Sequence, residues 1–172
     1  MSRAIEELLS DVASAESTSA RNAIVRASLI LEWDTQGRLD TSVAEGFPQP
    51  GLYEAAPTDA DVIGLIRGLA QYVENPSFSD ELRQSILWAL SKSGRIEAFN
   101  VFAKLLDQAS NLKALCEGTD LLQSVADFLE DPGARHNYAK TLADVVHRLR
   151  SIALSNPSAE AARKRIVANA SE

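Results

Sequence analysis

Two histidines, His136 and His147, and a lone thiol, Cys116, are the side chains best suited by type to proton transfer, metal ligation or nucleophilic attack. The histidines stand eleven positions apart, so they project from nearly the same side of one helix, with Asp144 a turn before His147. An imidazole oriented by a carboxylate can work as an acid or base, yet no nucleophile is marked nearby and no third ligand suggests a metal. The expectation is therefore a pair of solvated histidines on a basic helix face. Cys116 follows Leu115 in an apolar stripe, which suits a small buried hydrophobe better than a reactive thiolate. Asp59 with Asp61, and Glu130 with Asp131, are paired carboxylates, but a helix start explains the first pair and a polar turn the second. The chain has no Gly-rich phosphate loop, no His-Glu-x-x-His and no Cys or His cluster at metal spacing. These absences predict a protein that is not an enzyme, with no catalytic residue, metal or cofactor.

Aromatic side chains offer a different chemistry, the anchoring of a partner. Trp88 lies off the apolar stripe of Leu82, Ile86 and Leu90, so it either packs on a neighbouring helix pair, the favoured reading, or stands on a groove. Phe47 and Tyr53 flank Pro48-Gln-Pro-Gly51, where they can fold back over the core or face a partner. Phe47, Tyr53 and Trp88 are the candidate partner-binding residues.

Charge narrows the class of partner. The net charge of −7 opposes nucleic-acid binding in bulk, because phosphate contacts need concentrated Lys and Arg. The charge is unevenly spread: residues 1–60 carry four basic and ten acidic side chains, 61–131 six and eleven, and 132–172 seven and three. The acidic first two thirds favour a basic protein partner. The basic cluster of Arg135, Lys140, Arg148, Arg150, Arg163, Lys164 and Arg165 has only Tyr138 as an aromatic companion, and reads first as a solvated helical tail. A hydrophobic content of 45% is enough for a packed core, and 172 residues suit one domain. One cysteine forms no internal disulfide, the acids in Met-Ser-Arg-Ala-Ile-Glu-Glu interrupt any secretory apolar run, and no stretch nears the roughly 20 apolar residues of a membrane span. The expected location is the cytoplasm, away from the membrane.

The elements that must position these residues read as helices throughout. Ile5, Leu8, Leu9, Val12 and Ala15 share one helical face within residues 4–15. Ser17-Thr-Ser19 offers capping hydroxyls before a helix over 20–33 with Ala20, Ile24, Ala27 and Leu31 inward, stopped by Gly37. Glycines and prolines break the pattern between 39 and 57, a loop long enough to be functional. Thr58 caps a helix carrying Val62, Ile66, Leu69 and Val73, ended by Asn75-Pro76. Ser79 opens the next, with Leu82, Ile86, Ala89 and Leu90 on one face and Gly94 as a left-handed stop. Ile96, Phe99, Phe102, Ala103 and Leu106 mark a helix so close behind that the two should run antiparallel. Leu112, Leu115 and Cys116 form a brief helix up to Gly118, and Thr119-Asp120 recap one bearing Leu122, Val125, Ala126 and Leu129, closed by Pro132-Gly133. The longest helix is expected from 134 to 155, through Leu142, Val145, Val146, Leu149 and Ile152, and Asn156-Pro157 precedes a basic last one.

Helix ends repeat. Ala70-Gln-Tyr-Val-Glu-Asn-Pro76, Ala103-Lys-Leu-Leu-Asp-Gln-Ala109 and Ala126-Asp-Phe-Leu-Glu-Asp-Pro132 share one template, at offsets of 33 and 23 residues. Stacked helical hairpins require such a pattern, since each unit must stop, turn and bury its stripe on the next. The stretch Asp80-Glu-Leu-Arg-Gln-Ser-Ile-Leu-Trp-Ala-Leu-Ser-Lys-Ser-Gly94, continuing Arg-Ile-Glu-Ala-Phe-Asn-Val-Phe-Ala-Lys-Leu-Leu106, resembles a HEAT-like repeat of the short phycobilin-lyase type. The likeness is best over 80–107, extends over 58–132, and is absent before 57. Its units are shorter and less even than the roughly 40 to 47 residues usual for HEAT and armadillo repeats.

The fold class expected is all-α, an irregular α-solenoid or a helical bundle of stacked antiparallel hairpins. A single domain would comprise a hairpin over 1–38, the loop 39–57, HEAT-like helices over 58–155 and a basic helix over 156–172. The resemblance implies a rigid, ribbed surface for binding another protein, of the class found in adaptors and in small acidic HEAT-like immunity proteins. Two other readings are a nucleic-acid-associated protein using the basic C-terminal helices and a lyase-like ligand-binding protein. Neither the oligomeric state nor the partner's identity is written in the sequence.

Overall fold

The computed structural model describes residues 1–14, 17–37, 55–108, 110–119 and 121–170, without the side chains of residues 17, 134 and 137–142. Nine helices and no strand are found among the described residues. They are α1 (Arg3–Val12), α2 (Ser17–Gln36), α3 (Asp59–Glu74), α4 (Asp80–Leu90), α5 (Ile96–Leu106), α6 (Ser110–Glu117), α7 (Leu121–Phe128), α8 (Pro132–Arg150) and α9 (Pro157–Asn169). The chain forms two compact units, Met1–Ser93 and Gly94–Glu172. None of the described helices is long and apolar enough to cross a membrane.

In the first unit α1 packs on α2 and α3, and α4 on α2 and α3. The expected apolar stripes are buried there: Ile5, Leu8, Leu9 and Val12 of α1, Ala20, Ile24, Ala27 and Leu31 of α2, and Val62, Ile66, Leu69 and Val73 of α3. Helix ends follow the capping chemistry. Thr58 Oγ1 accepts from the Asp61 amide at 3.2 Å, and Ser79 Oγ from that of Leu82 at 3.2 Å. Gly37, at φ 68°, donates its amide to the Trp33 carbonyl at 2.7 Å and so closes α2 in the left-handed conformation that glycine adopts without strain.

Helix α3 approaches α1 closely through its glycines. A methyl group at Gly68 would lie 2.5 Å from Leu9 Cδ1, and one at Gly64 would lie 2.7 Å from the Met1 sulfur. Helix α4 departs from its expected face. Leu82 is only half-buried, while Leu87 and Arg83 are buried. A buried guanidinium costs free energy unless its donors are used. Arg83 Nε donates to the Val73 carbonyl at 2.8 Å and Nη1 to Asp80 Oδ1 at 3.0 Å, so this side chain caps the last turn of α3 and ties it to α4.

The second unit pairs α5 with α6 and α8, and α9 with α7 and α8. Ile96, Phe99, Phe102, Ala103 and Leu106 are buried as the periodicity predicts, and Phe99 meets Phe128 edge-on at 6.2 Å. Several boundaries differ from expectation. Helix α8 ends at Arg150 with Ser151 as its cap, not at 155, so Ile152 lies beyond the helix and is only half-buried. Ser17, Thr18 and Ser19 lie within α2 rather than before it, which makes α2, at 20 residues, longer than the 19 of α8. Helix α7 stops at Phe128, and Pro132 is the first residue of α8, where its missing amide is no loss, with Asp131 Oδ1 accepting from Gly133 N at 2.8 Å. Gly94 is not left-handed, since Gly37 is the one glycine of positive φ among the described residues. Helix α4 closes instead through the Ser91 amide, which reaches the Leu87 and Trp88 carbonyls.

Candidate docking groove

Helices α2 and α4 lie side by side and run the same way. At one end Arg21 pairs with Glu81, and fourteen residues along α2 the Thr35 hydroxyl donates to the Lys92 carbonyl at 3.1 Å. Between these ties is a groove of about 420 Å³ lined by Arg21, Ile24 and Val25 from α2 and Glu81, Gln84, Ser85 and Trp88 from α4. Helical spacing accounts for the α4 wall. Positions 81, 84, 85 and 88 follow the three-and-four rule, opposite the face that buries Ile86, Ala89 and Leu90.

Trp88 is 44% exposed, whereas Ile24, on the facing wall, is buried. Lys92, in the turn just after α4, holds its ammonium 5.3 Å from the ring centroid, a cation–π distance. The surface is therefore an aromatic and aliphatic strip closed at one end by an ion pair. Arg21 and Glu81 keep 61% and 76% of their side chains in solvent, so their attraction is weak and easily exchanged. Beyond the pair a smaller hollow of about 180 Å³ continues along Ser14, Ala20, Ser79 and Leu82. The first unit carries fourteen acidic and seven basic residues, the whole net charge of −7, whereas the second carries ten of each.

The other candidates fall elsewhere. Phe47 and Tyr53 lie outside the described residues. His136, His147 and Asp144 are exposed on α8, and no group of three metal-capable side chains occurs among the described residues. Cys116 is 1% exposed, and burial, with the neighbouring Glu117 charge, pushes its thiol up to about 12. Asp61 is held below the usual carboxylate range: burial, the largest single influence, acts upward, but the Ser2 amide and the Thr58 hydroxyl, which donate to it, prevail together with the N-terminal charge. Asp131 caps α8, and Glu130 pairs with Arg165.

Much of the basic C-terminal cluster is committed within its own unit. Arg165 meets Asp127 and Glu130, and Arg148 lies 3.6 Å from Asp107. Arg163 bonds Glu160 and donates to the Leu149 carbonyl at 2.8 Å, closing α8. Arg135 donates to the Leu129 carbonyl at 3.2 Å. A second ion-pair centre, Glu117, is buried and accepts from the Ser155 and Asn156 amides at 2.7 and 2.8 Å, joining α6 to the start of α9.

Arg21, Glu81 and Lys92 were not among the expected site residues. Glu81 and Trp88 share a heptad spacing that sequence displays, but Arg21 is sixty positions from Glu81 and joins them only through the packing of α2 on α4. Comparison with protein-family models, with curated proteins and with solved structures finds no match to the chain.

Proposed function

We propose that this protein is a non-catalytic protein-interaction module that receives a basic partner on the Trp88 groove. The observation that carries this reading is a large aromatic side chain left exposed over an apolar strip, in the unit that holds the chain's entire excess of acid. Buried aromatic anchors supply much of the energy of protein interfaces, while complementary charge steers the encounter. The HEAT-like likeness of 80–107 accompanies it, and parallel neighbouring helices such as α2 and α4 are what stacked hairpins present, whether or not they belong to that repeat. An adaptor or an immunity-type protein working in the cytoplasm fits this surface.

The nucleic-acid alternative draws less support, because Arg135, Arg148, Arg163 and Arg165 have internal partners. Affinity capture from the native lysate at low and moderate salt, comparing the intact chain with Trp88→Ala and with Arg148→Ala/Arg150→Ala, separates the two. The proposal expects a basic protein retained by the intact chain and the double variant but lost by Trp88→Ala. Nucleic acid lost only by the double variant overturns it.

A further inference from the structure

Resting on that docking reading, we propose that the partner segment is an amphipathic α-helix laid antiparallel to α2 and α4, with an apolar anchor followed seven residues later by an arginine. The anchor packs between Trp88 and the half-buried Val25 of α2, and the arginine takes Glu81 from Arg21.

Three observations lead there. The first is that the described residues hold helices and no strand, so they offer no sheet edge to pair with an extended peptide. A segment buried in a groove must satisfy its own backbone groups, and a helix does so internally. Polyproline segments dock between aromatic walls, whereas here Trp88 faces the aliphatic Ile24 and Val25.

The second is spacing. Glu81 and Trp88 are seven residues apart on α4, about 10.5 Å along the axis and about 20° from eclipsed. Positions i and i+7 of a ligand helix have the same separation and lie on one line, so a single helix addresses both groups. Gln84 and Ser85 between them offer polar contacts without charge.

The third is polarity. Because α2 and α4 run in the same direction, their N-terminal ends flank the Glu81 end of the groove. A ligand helix lying antiparallel brings its negative C-terminal end to these two positive ends. That orientation puts the basic residue after the anchor in sequence. Arginine suits Glu81 because its planar fork can bind both carboxylate oxygens, and the exposed Arg21 that now occupies Glu81 is a weak competitor.

The test uses the full chain and three fluorescein-labelled, acetylated helical peptides of alanine and glutamine, each about eighteen residues long, followed by anisotropy. The first peptide carries a leucine near its N-terminal third and an arginine seven residues after it. The second exchanges the leucine and the arginine, and the third has glutamine in place of the arginine. The first should bind at least tenfold more tightly than the third and about threefold more tightly than the reversed peptide. Glu81→Gln should abolish the preference for the first over the third, Arg21→Ala should strengthen the first about threefold, and Trp88→Ala should remove binding of all. Trp88→Leu, which keeps apolar bulk, should retain part of it, and thermal unfolding of each variant confirms that the fold is kept. If Glu81→Gln leaves the preference intact while Trp88→Ala abolishes binding, the helix-and-arginine assignment is overturned and the groove reading survives. If Trp88→Ala binds like the intact chain, or no peptide binds, both fall.

Discussion

Two glycines one turn apart on α3 should respond oppositely to the same substitution. In a helix interior, alanine is favoured over glycine by about 1 kcal/mol, so propensity alone makes both Gly64→Ala and Gly68→Ala stabilising. Packing separates them. At Gly68 the new methyl would lie 2.5 and 2.6 Å from the two terminal carbons of Leu9 and 3.1 Å from its Cγ. Carbon contacts are comfortable at about 3.5–4.0 Å, so Leu9 would have to retreat by about 1 Å. Leu9 is 8% exposed, and its carbonyl accepts the Tyr72 hydroxyl at 3.0 Å, so little room is open to it. Overpacking of this kind costs about 1–3 kcal/mol, which cancels or exceeds the propensity gain. At Gly64 the obstruction is the Met1 sulfur at 2.7 Å, but Met1 is 54% exposed and its flexible side chain can swing away. Gly64→Ala should then gain up to about 1 kcal/mol, and the two variants should differ by about 1–3 kcal/mol, on the order of 1 M in urea midpoint. Trp33 and Trp88, the chain's two tryptophans, both belong to the first unit, so intrinsic fluorescence in a urea titration follows the unit in question. A Gly68→Ala protein as stable as Gly64→Ala would refute the reasoning and show that Leu9 repacks freely.

Two further outcomes concern the second unit. With its thiol pushed up to about 12, Cys116 should stay unreactive toward a disulfide reagent at pH 8 until the unit opens, so its labelling rate should track unfolding in urea. Glu160 is lowered to about 2, chiefly by the Arg163 hydrogen bonds, against an opposing effect of burial and with help from the Leu154 amide and the charges of Arg163 and Lys164. A lowered carboxylate contributes stability above its ordinary range near 4.5 and loses it as pH falls toward 2. Glu160→Gln should therefore lower stability at neutral pH by up to about 1 kcal/mol, the range of a solvent-screened ion pair, and flatten the loss between pH 4.5 and 2, as read by circular dichroism melts.

The helices were legible because local patterns specify them. The stripes of α1, α3 and α5 follow from three-and-four spacing, and Thr58, Ser79 and Gly37 act where capping chemistry places them. Boundaries near proline were harder to read, because Pro132 both forbids the continuation of one helix and suits the first position of the next. Arg83 shows a different limit. A charged residue reads as solvent-facing until one knows that the open carbonyl of Val73 lies within reach of its guanidinium.

Sequence by itself determined the helical class, most of the helix ends, the core positions and the excess of acid, all of which depend on residue type and near neighbours. It also marked Trp88 as a residue off its own helix's stripe, but favoured packing over exposure. Tertiary structure decided that Trp88 stands open beside Ile24, that Arg21 closes the groove through Glu81, and that the acid excess belongs to one compact unit. Each of these depends on which helix lies beside which across some sixty residues of chain, and local periodicity constrains a helix's buried face without naming the neighbour that covers it.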